Sequence, residues 1–308
     1  MRLGAHIGIA DGLPEAVATA KEIGCASMQI FSKSPQMWKG PPVADEAAAG
    51  FRAAVTREGI GPNAIHHGYL INLASPKPPM LRQSRVTFLD ELERAEKLGV
   101  DYLIFHPGAH LGSGPEAGLK TLVESLNGAF EKTAGFRVRA LIENAAGQGT
   151  AMCSTFEEVA GALDGVTDRS RIGVAIDTCH LFASGIDFRT EADYGTMVDR
   201  LSSIVGTPNV FAFHLNDAKA ELGSHLDRHE NIGKGKLGLD GFGWLLNDRR
   251  WKEAPGYLET PLTDDDYGAY RDDLAALRST LEGEGRPKNS ANSPSRTRKR
   301  TVAASPAK

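Results

Sequence analysis

One feature limits the possible folds of this chain more than any other. A short apolar or β-branched run alternates with a longer amphipathic stretch eight times. The short runs fall at residues 3–6, 26–31, 61–66, 102–106, 138–143, 173–177, 210–214 and 257–259, and each reads as a strand. The stretches between and after them predict helices over 13–23, 45–58, 80–98, 116–133, 155–163, 194–205, 239–247 and 265–281. Gly24 and Gly99 stand where helix C-caps belong, and Ser154 and Asp264 are candidate N-caps. Strands separated by helical crossovers make a parallel sheet, and eight such units predict a single closed (β/α)8 TIM barrel of the α/β class. An open doubly wound sheet is the alternative, but no G-x-G-x-x-G turn follows the first strand to support it.

The barrel is expected to span residues 1–282 as one catalytic domain. A formal net charge of -4 conceals an asymmetry beyond it. Residues 286–308 hold seven Lys or Arg and no acid, leaving 28 basic against 39 acidic residues before them, a formal charge of -11. With no Leu, Ile, Phe, Trp or Tyr, that segment has too little apolar surface to offset its ordering entropy, so residues 283–308 are expected to form a disordered basic tail. No run approaches the roughly 18 apolar residues that cross a bilayer, and no apolar signal segment opens the chain, so a cytoplasmic location without a membrane partner is expected. Cys25, Cys153 and Cys179 are too few and too scattered for a disulfide framework or a cysteine-rich zinc module.

The residues at the strand ends carry the chemical signal. In chain order they are His6, Gln29 with Ser32 beyond it, His66, His106, Glu143, Asp177, His214 and Glu259. Strands of a closed barrel converge on one rim, so these side chains are expected to share a polar pocket at the end where barrels build their sites. Two local pairs add to the ring: Asp177 with His180, and Asp227 with His229. Mixed carboxylate and imidazole donors suit zinc, manganese or iron, whereas calcium takes oxygen ligands. His66, His106, Glu143, Asp177, His180, His214, Asp227, His229 and Glu259 are too many ligands for one ion and suffice for two or three. Closely spaced divalent ions suit phosphodiester hydrolysis; sugar isomerisation on a metal barrel competes, but leaves Asp227 and His229 without a use. A non-catalytic binding protein would not need so complete a set of ligand-type residues.

Eight segments carry a family resemblance: GAH at 4–6, HHGYLINLA at 66–74, FHPGAH at 105–110, IENAAGQG at 142–149, IDTCHLFASG at 176–185, HLND at 214–217, DRH at 227–229 and ETP at 259–261. In this order and spacing the chain resembles the endonuclease IV family of apurinic/apyrimidinic endonucleases over residues 1–282. The resemblance implies three zinc ions per chain, with manganese acceptable in one or more sites. His66, His106 and Glu143 would hold the first; Glu143 would bridge to a second held by Asp177, His214 and Glu259; His180, Asp227 and His229 would hold the third. It implies hydrolysis 5′ to an abasic site in double-stranded DNA, leaving a 3′-hydroxyl, and trimming of blocked 3′ ends. Glu143 would work with a zinc-bound hydroxide, in a monomer.

Tyr69 matches the family's inserted Tyr, and residues 32–38 match its strand-two loop, where Gln36 stands in place of the family's Arg. That departure removes a cation beside phosphates and bears on affinity and its salt dependence. Smaller signals are read more blandly. The segment GKGKLG at 233–238 lacks the phosphate-loop form and is expected to shape the strand-seven loop. His67, His110 and His225 are expected to support ligands or face solvent, and Cys179 to be a packed thiol.

Overall fold

The computed structural model describes residues 1–263 and 267–281. Eight parallel strands close a barrel. Seven come in succession: β1 (Arg2–His6), β2 (Ser27–Phe31), β3 (Ala64–His66), β4 (Tyr102–Phe105), β5 (Arg139–Glu143), β6 (Ile172–Asp177) and β7 (Val210–His214). An inserted pair follows, β8 (Asp217–Ala218) with β9 (His229–Glu230), and β10 (Pro255–Leu258) then closes the barrel by pairing with both β7 and β1. The chain is therefore a TIM barrel, and the open-sheet alternative falls. Helices α1 (Leu13–Glu22), α2 (Asp45–Glu58), α3 (Pro78–Leu98), α4 (Pro115–Lys132) and α5 (Phe156–Gly165) cover the first five units. After the short α6 (Thr178–Ala183), helices α7 (Glu191–Ile204), α8 (Gly238–Asn247) and α9 (Gly268–Ser279) complete the outer ring.

The pleat explains the site. Side chains two apart on a strand share a face. The barrel interior is plugged by a layer of Ala64, Ile104, Leu141, Ala175, Ala212 and Tyr257, in which one fully buried ring sits among small neighbours. Two residues further along the same six strands stand His66, His106, Glu143, Asp177, His214 and Glu259. The outward faces, including Ile65, Phe105, Ile142, Val174, Ile176 and Phe213, pack beneath the helices in the main core. Each ligand-type residue is thus the next inward position above an apolar plug, at the carboxyl rim.

Local sequence accounts for most element ends. Gly99 caps α3 in the left-handed region at φ 70, where a Cβ would be strained, and Gly24 follows the α1 cap at φ 89. The expected cap Ser154 is displaced by one residue. Thr155 accepts from the Glu158 main-chain N–H, while the Glu158 carboxylate accepts from the Ser154 N–H, a reciprocal pair shifted by one position. Asp264 and the first residues of the predicted closing helix, like the tail at 283–308, lie outside the described residues.

Two segments hold elements that were not expected. The turn after β6 is the helix α6, and the long loop after β7 contains the antiparallel pair of β8 and β9. Both are too short to show a period of their own, and both are tied down by the polar groups described next.

Candidate metal centre

Glu143 sits at the centre and is fully buried. Its Oε2 lies 3.1 Å from His66 Nε2 and 3.6 Å from His106 Nε2; its Oε1 lies 2.9 Å from His214 Nδ1 and 3.2 Å from His180 Nδ1. Asp227 Oδ1 is 3.2 Å from both His180 Nε2 and His229 Nε2. Among the described residues, ligand-type atoms gather within 4.8 Å of one another in five overlapping groups: His66, His106 and Glu143; Glu143, Asp177, His214 and Glu259; His180, Asp227 and His229; His66, His214 and Glu259; and Asp177, Cys179 and His229. All nine residues singled out in the sequence are brought together at the rim.

Burial acts to raise the Glu143 carboxyl, but His106 and His214 outweigh it and hold the group well below its ordinary value. Glu259 and Asp227 are likewise pushed down against burial, chiefly by His214 in the first case and by the adjoining His180 and His229 rings in the second. The rings divide: neighbouring carboxylates overcome burial and lift His214 and His229 to about 9, whereas burial lowers His106. Once the imidazoles are neutral, as ligation requires, the four carboxylates leave a buried excess of negative charge that bound cations would compensate. Two buried ring nitrogens, His180 Nε2 and His229 Nε2, meet Asp227 in contacts too poorly aligned to be hydrogen bonds, a condition that a metal ion relieves. The donor set fits zinc or manganese.

Main-chain and amide groups hold the ligands. Asp177 caps α6 by accepting from the His180 N–H at 2.7 Å. Asn144 accepts from the Asp177 N–H through its side chain and from His180 Nδ1 through its carbonyl. Asn216 donates to Asp177 Oδ2 at 2.7 Å and accepts from the Glu259 N–H. Sequence reasoning passed over both asparagines, although each stands within two residues of a ligand in a quoted segment.

Asp217 accepts from the main-chain N–H groups of Ala218, Gly233, Gly235 and Leu237. The GKGKLG segment therefore spends its donors on a carboxylate and shapes the loop that carries Asp227 and His229. Gly235 is required there, since a Cβ would meet the Asp217 carboxylate at 2.4 Å. His67 is buried, which removes the surface reading, and its Nε2 accepts from the His106 N–H at 2.8 Å. His110 accepts from the Gly114 N–H, and His225 Nδ1 donates to the Ala146 carbonyl at 3.2 Å. Cys179 is packed, its thiol pushed up to about 12 by burial.

A cavity of about 310 Å³ opens above the groups, walled by His6, Phe31, His66, Tyr69, His106, Asp227, His229 and Glu259, among others. Tyr69, 64% exposed, stands at its edge against Phe31 at 5.6 Å, and its N–H donates to the Pro35 carbonyl. The exposed Gln36 is the next residue, so the β2 loop and Tyr69 form one ridge. A slightly larger cavity, about 360 Å³, lies at the opposite end of the barrel, lined by Glu96, Asp101, Arg137 and Arg139. No histidine lines it, and Arg139 is engaged by the Ser170 carbonyl and the Phe211 ring.

The fold and its rim define the class first: a family model described as a xylose isomerase-like TIM barrel matches residues 17–280. A probable endonuclease 4 from Chloroflexus aurantiacus is 40% identical over 282 residues, 92% of this chain and 99% of that protein. Another from Chlorobium limicola is 44% identical over 266 residues, 85% and 91% of the two chains. The crystal structure of endonuclease IV from Thermus thermophilus superposes with a TM-score of 0.78 at 33% identity, covering 91% of this chain and all of that one. Sugar epimerases, such as D-psicose 3-epimerase at 16% identity and a TM-score of 0.67, share the fold alone. The chain belongs to the endonuclease IV family.

Proposed function

We propose that the protein is a zinc-dependent DNA repair endonuclease that hydrolyses the phosphodiester 5′ to an abasic site, leaves a 3′-hydroxyl, and trims blocked 3′ ends. The observation that carries this reading is the third ligand group. His180, Asp227 and His229 open onto the same cavity as the two groups that share Glu143, and an isomerase working with one or two ions has no use for them. When bound, divalent ions supply activation of water at neutral pH and charge neutralisation for phosphate oxygens.

The chain's own residues do the rest. Glu143 offers one carboxylate oxygen to the first group and the other to the second, which sets the spacing between them. Telling an abasic nucleotide from an intact one calls for drawing it out of the stack, which leaves a gap in the duplex. Tyr69, exposed on a ridge backed by Phe31 and braced by Pro35, is placed to fill the gap so formed. Gln36 beside it offers a neutral amide where a cation would add counterion release. The enzyme acts as a monomer on double-stranded DNA inside the cell. Among the described residues no helix is long and apolar enough to cross a membrane.

Elemental analysis of the purified protein beside cleavage of an abasic and an intact duplex tests the reading. Two to three zinc equivalents, with incision restricted to the abasic strand and a 3′-hydroxyl product, are expected. One ion, no incision and interconversion of a ketose would instead establish the sugar-epimerase reading.

A further inference from the structure

An imidazole ligates through the nitrogen that carries no proton, so whatever touches its other nitrogen decides which atom faces the metal. In three rings of this site a main-chain carbonyl makes that choice. His66 Nδ1 lies 2.8 Å from the His67 carbonyl, His180 Nδ1 2.9 Å from that of Asn144, and His229 Nδ1 3.1 Å from that of Glu259. A carbonyl only accepts, so each Nδ1 carries the proton and each Nε2 is left for a ligand. His214 is turned the other way. Its Nδ1 faces Glu143 and Glu259, and its Nε2 lies 2.9 Å from Gln29 Oε1.

A side-chain amide can rotate and present either end, so Gln29 defines the His214 tautomer only if something fixes its own orientation. Glu259 does so. Gln29 Nε2 donates to Glu259 Oε1 at 2.6 Å; reversing the amide would set two acceptor oxygens against each other at that distance. The second amide hydrogen is directed to His6 Nδ1 at 3.0 Å. The register of β1 and β2 pairs His6 with Gln29, and Gln29 is fully buried, so the three contacts are preset by the barrel.

Building on the metal-centre reading, we propose that Gln29 is a positioning residue of the site: its single amide presents His214 Nδ1 to an ion, orients Glu259, and sets the tautomer of His6. The His6 proton then resides on Nε2, a buried atom without a protein partner on a side chain that walls the cavity.

The test uses the full-length zinc-loaded protein, ¹⁵N-labelled at histidine, with Gln29→Met and Gln29→Glu. Wild type is expected to show zinc-bound Nδ1 and a slowly exchanging Nε2 proton on His214. In Gln29→Met that proton exchanges fast, and competition with a chromophoric chelator shows one zinc weakened about 10- to 100-fold while the others hold. Gln29→Glu keeps an acceptor for His214 but has no donor for His6, so the His214 proton persists, the His6 tautomer shifts, and the same zinc is weakened. A Gln29→Met protein with a protected His214 proton and wild-type zinc affinities overturns the role. If that variant does not fold, an unshifted His6 and undiminished zinc affinity in Gln29→Glu overturn it equally. Wild-type protein that takes up no zinc would instead refute the metal-centre reading on which the proposal rests.

Discussion

Lys33 supplies a test of how the ridge beside the cavity is held. Its Nζ lies 2.6 Å from Glu91 Oε1 and 2.7 Å from Asp90 Oδ2, with the Lys33 and Glu91 side chains 3% and 1% exposed. Lys33→Met strands two carboxylates of unequal consequence. Asp90 is 35% exposed and keeps Arg94 at 2.9 Å, so water and the guanidinium absorb most of its loss. Glu91 retains only the Ser32 hydroxyl at 2.6 Å. Breaking a buried pair by removing one partner costs about 3–5 kcal/mol, because a charge is left uncompensated. The surviving Ser32 bond places this case near the lower end, about 3 kcal/mol. Lys33→Met with Glu91→Gln removes the stranded charge and keeps an acceptor for Ser32, so at least half the loss should return. Equilibrium urea unfolding of the two variants beside wild type gives the comparison, and proteolysis at residues 34–39 reports whether the ridge itself has loosened. A single variant within about 1 kcal/mol of wild type, or a double variant no better than the single, would refute the argument that an orphaned buried charge sets the cost.

Glu143→Gln is expected to lower abasic-duplex cleavage by at least about two orders of magnitude, since an amide cannot serve two ligand groups as the carboxylate does; near-normal turnover with full zinc content would show that Glu143 bridges nothing. Tyr69→Ala should weaken binding to an abasic duplex more than to a single-stranded abasic substrate, as measured by anisotropy, because the ring matters only where stacking must be opened. Equal losses on both would assign Tyr69 to shaping the cavity. Gln36→Arg should strengthen duplex binding most at low salt and steepen the dependence of affinity on salt, and an unchanged slope would place residue 36 away from phosphates. Deleting residues 286–308, with their seven positive charges, should lower low-salt affinity while single-turnover cleavage at saturating DNA stays the same; an unaltered salt slope would take that segment out of DNA binding.

Six of the nine ligand-type residues were legible in the sequence because the period of a strand and the closure of a barrel turn position along the chain into position on a rim; His180, Asp227 and His229 were legible only as local acid–imidazole pairs. His66, His106, Glu143, Asp177, His214 and Glu259 end strands whose inward pleat is already declared by the apolar residue two places earlier, so local patterning alone carried them to one place. A division of them among ions came only from the resemblance, since strand ends specify a ring and not distances within it. What tertiary structure alone decided was the support. Gln29 reads as one more polar strand end until the β1–β2 register sets it against His6 and the closed barrel brings Glu259 and His214 to its two ends. Asp217 reads as a loop acid until the chain returns 16 to 20 residues later with three N–H groups to satisfy it. Lys33 reads as a surface cation until α3 covers it with Glu91. Each role depends on a partner that no short-range period can specify, because a buried polar group takes its meaning from whichever long-range neighbour supplies its missing hydrogen bond or charge.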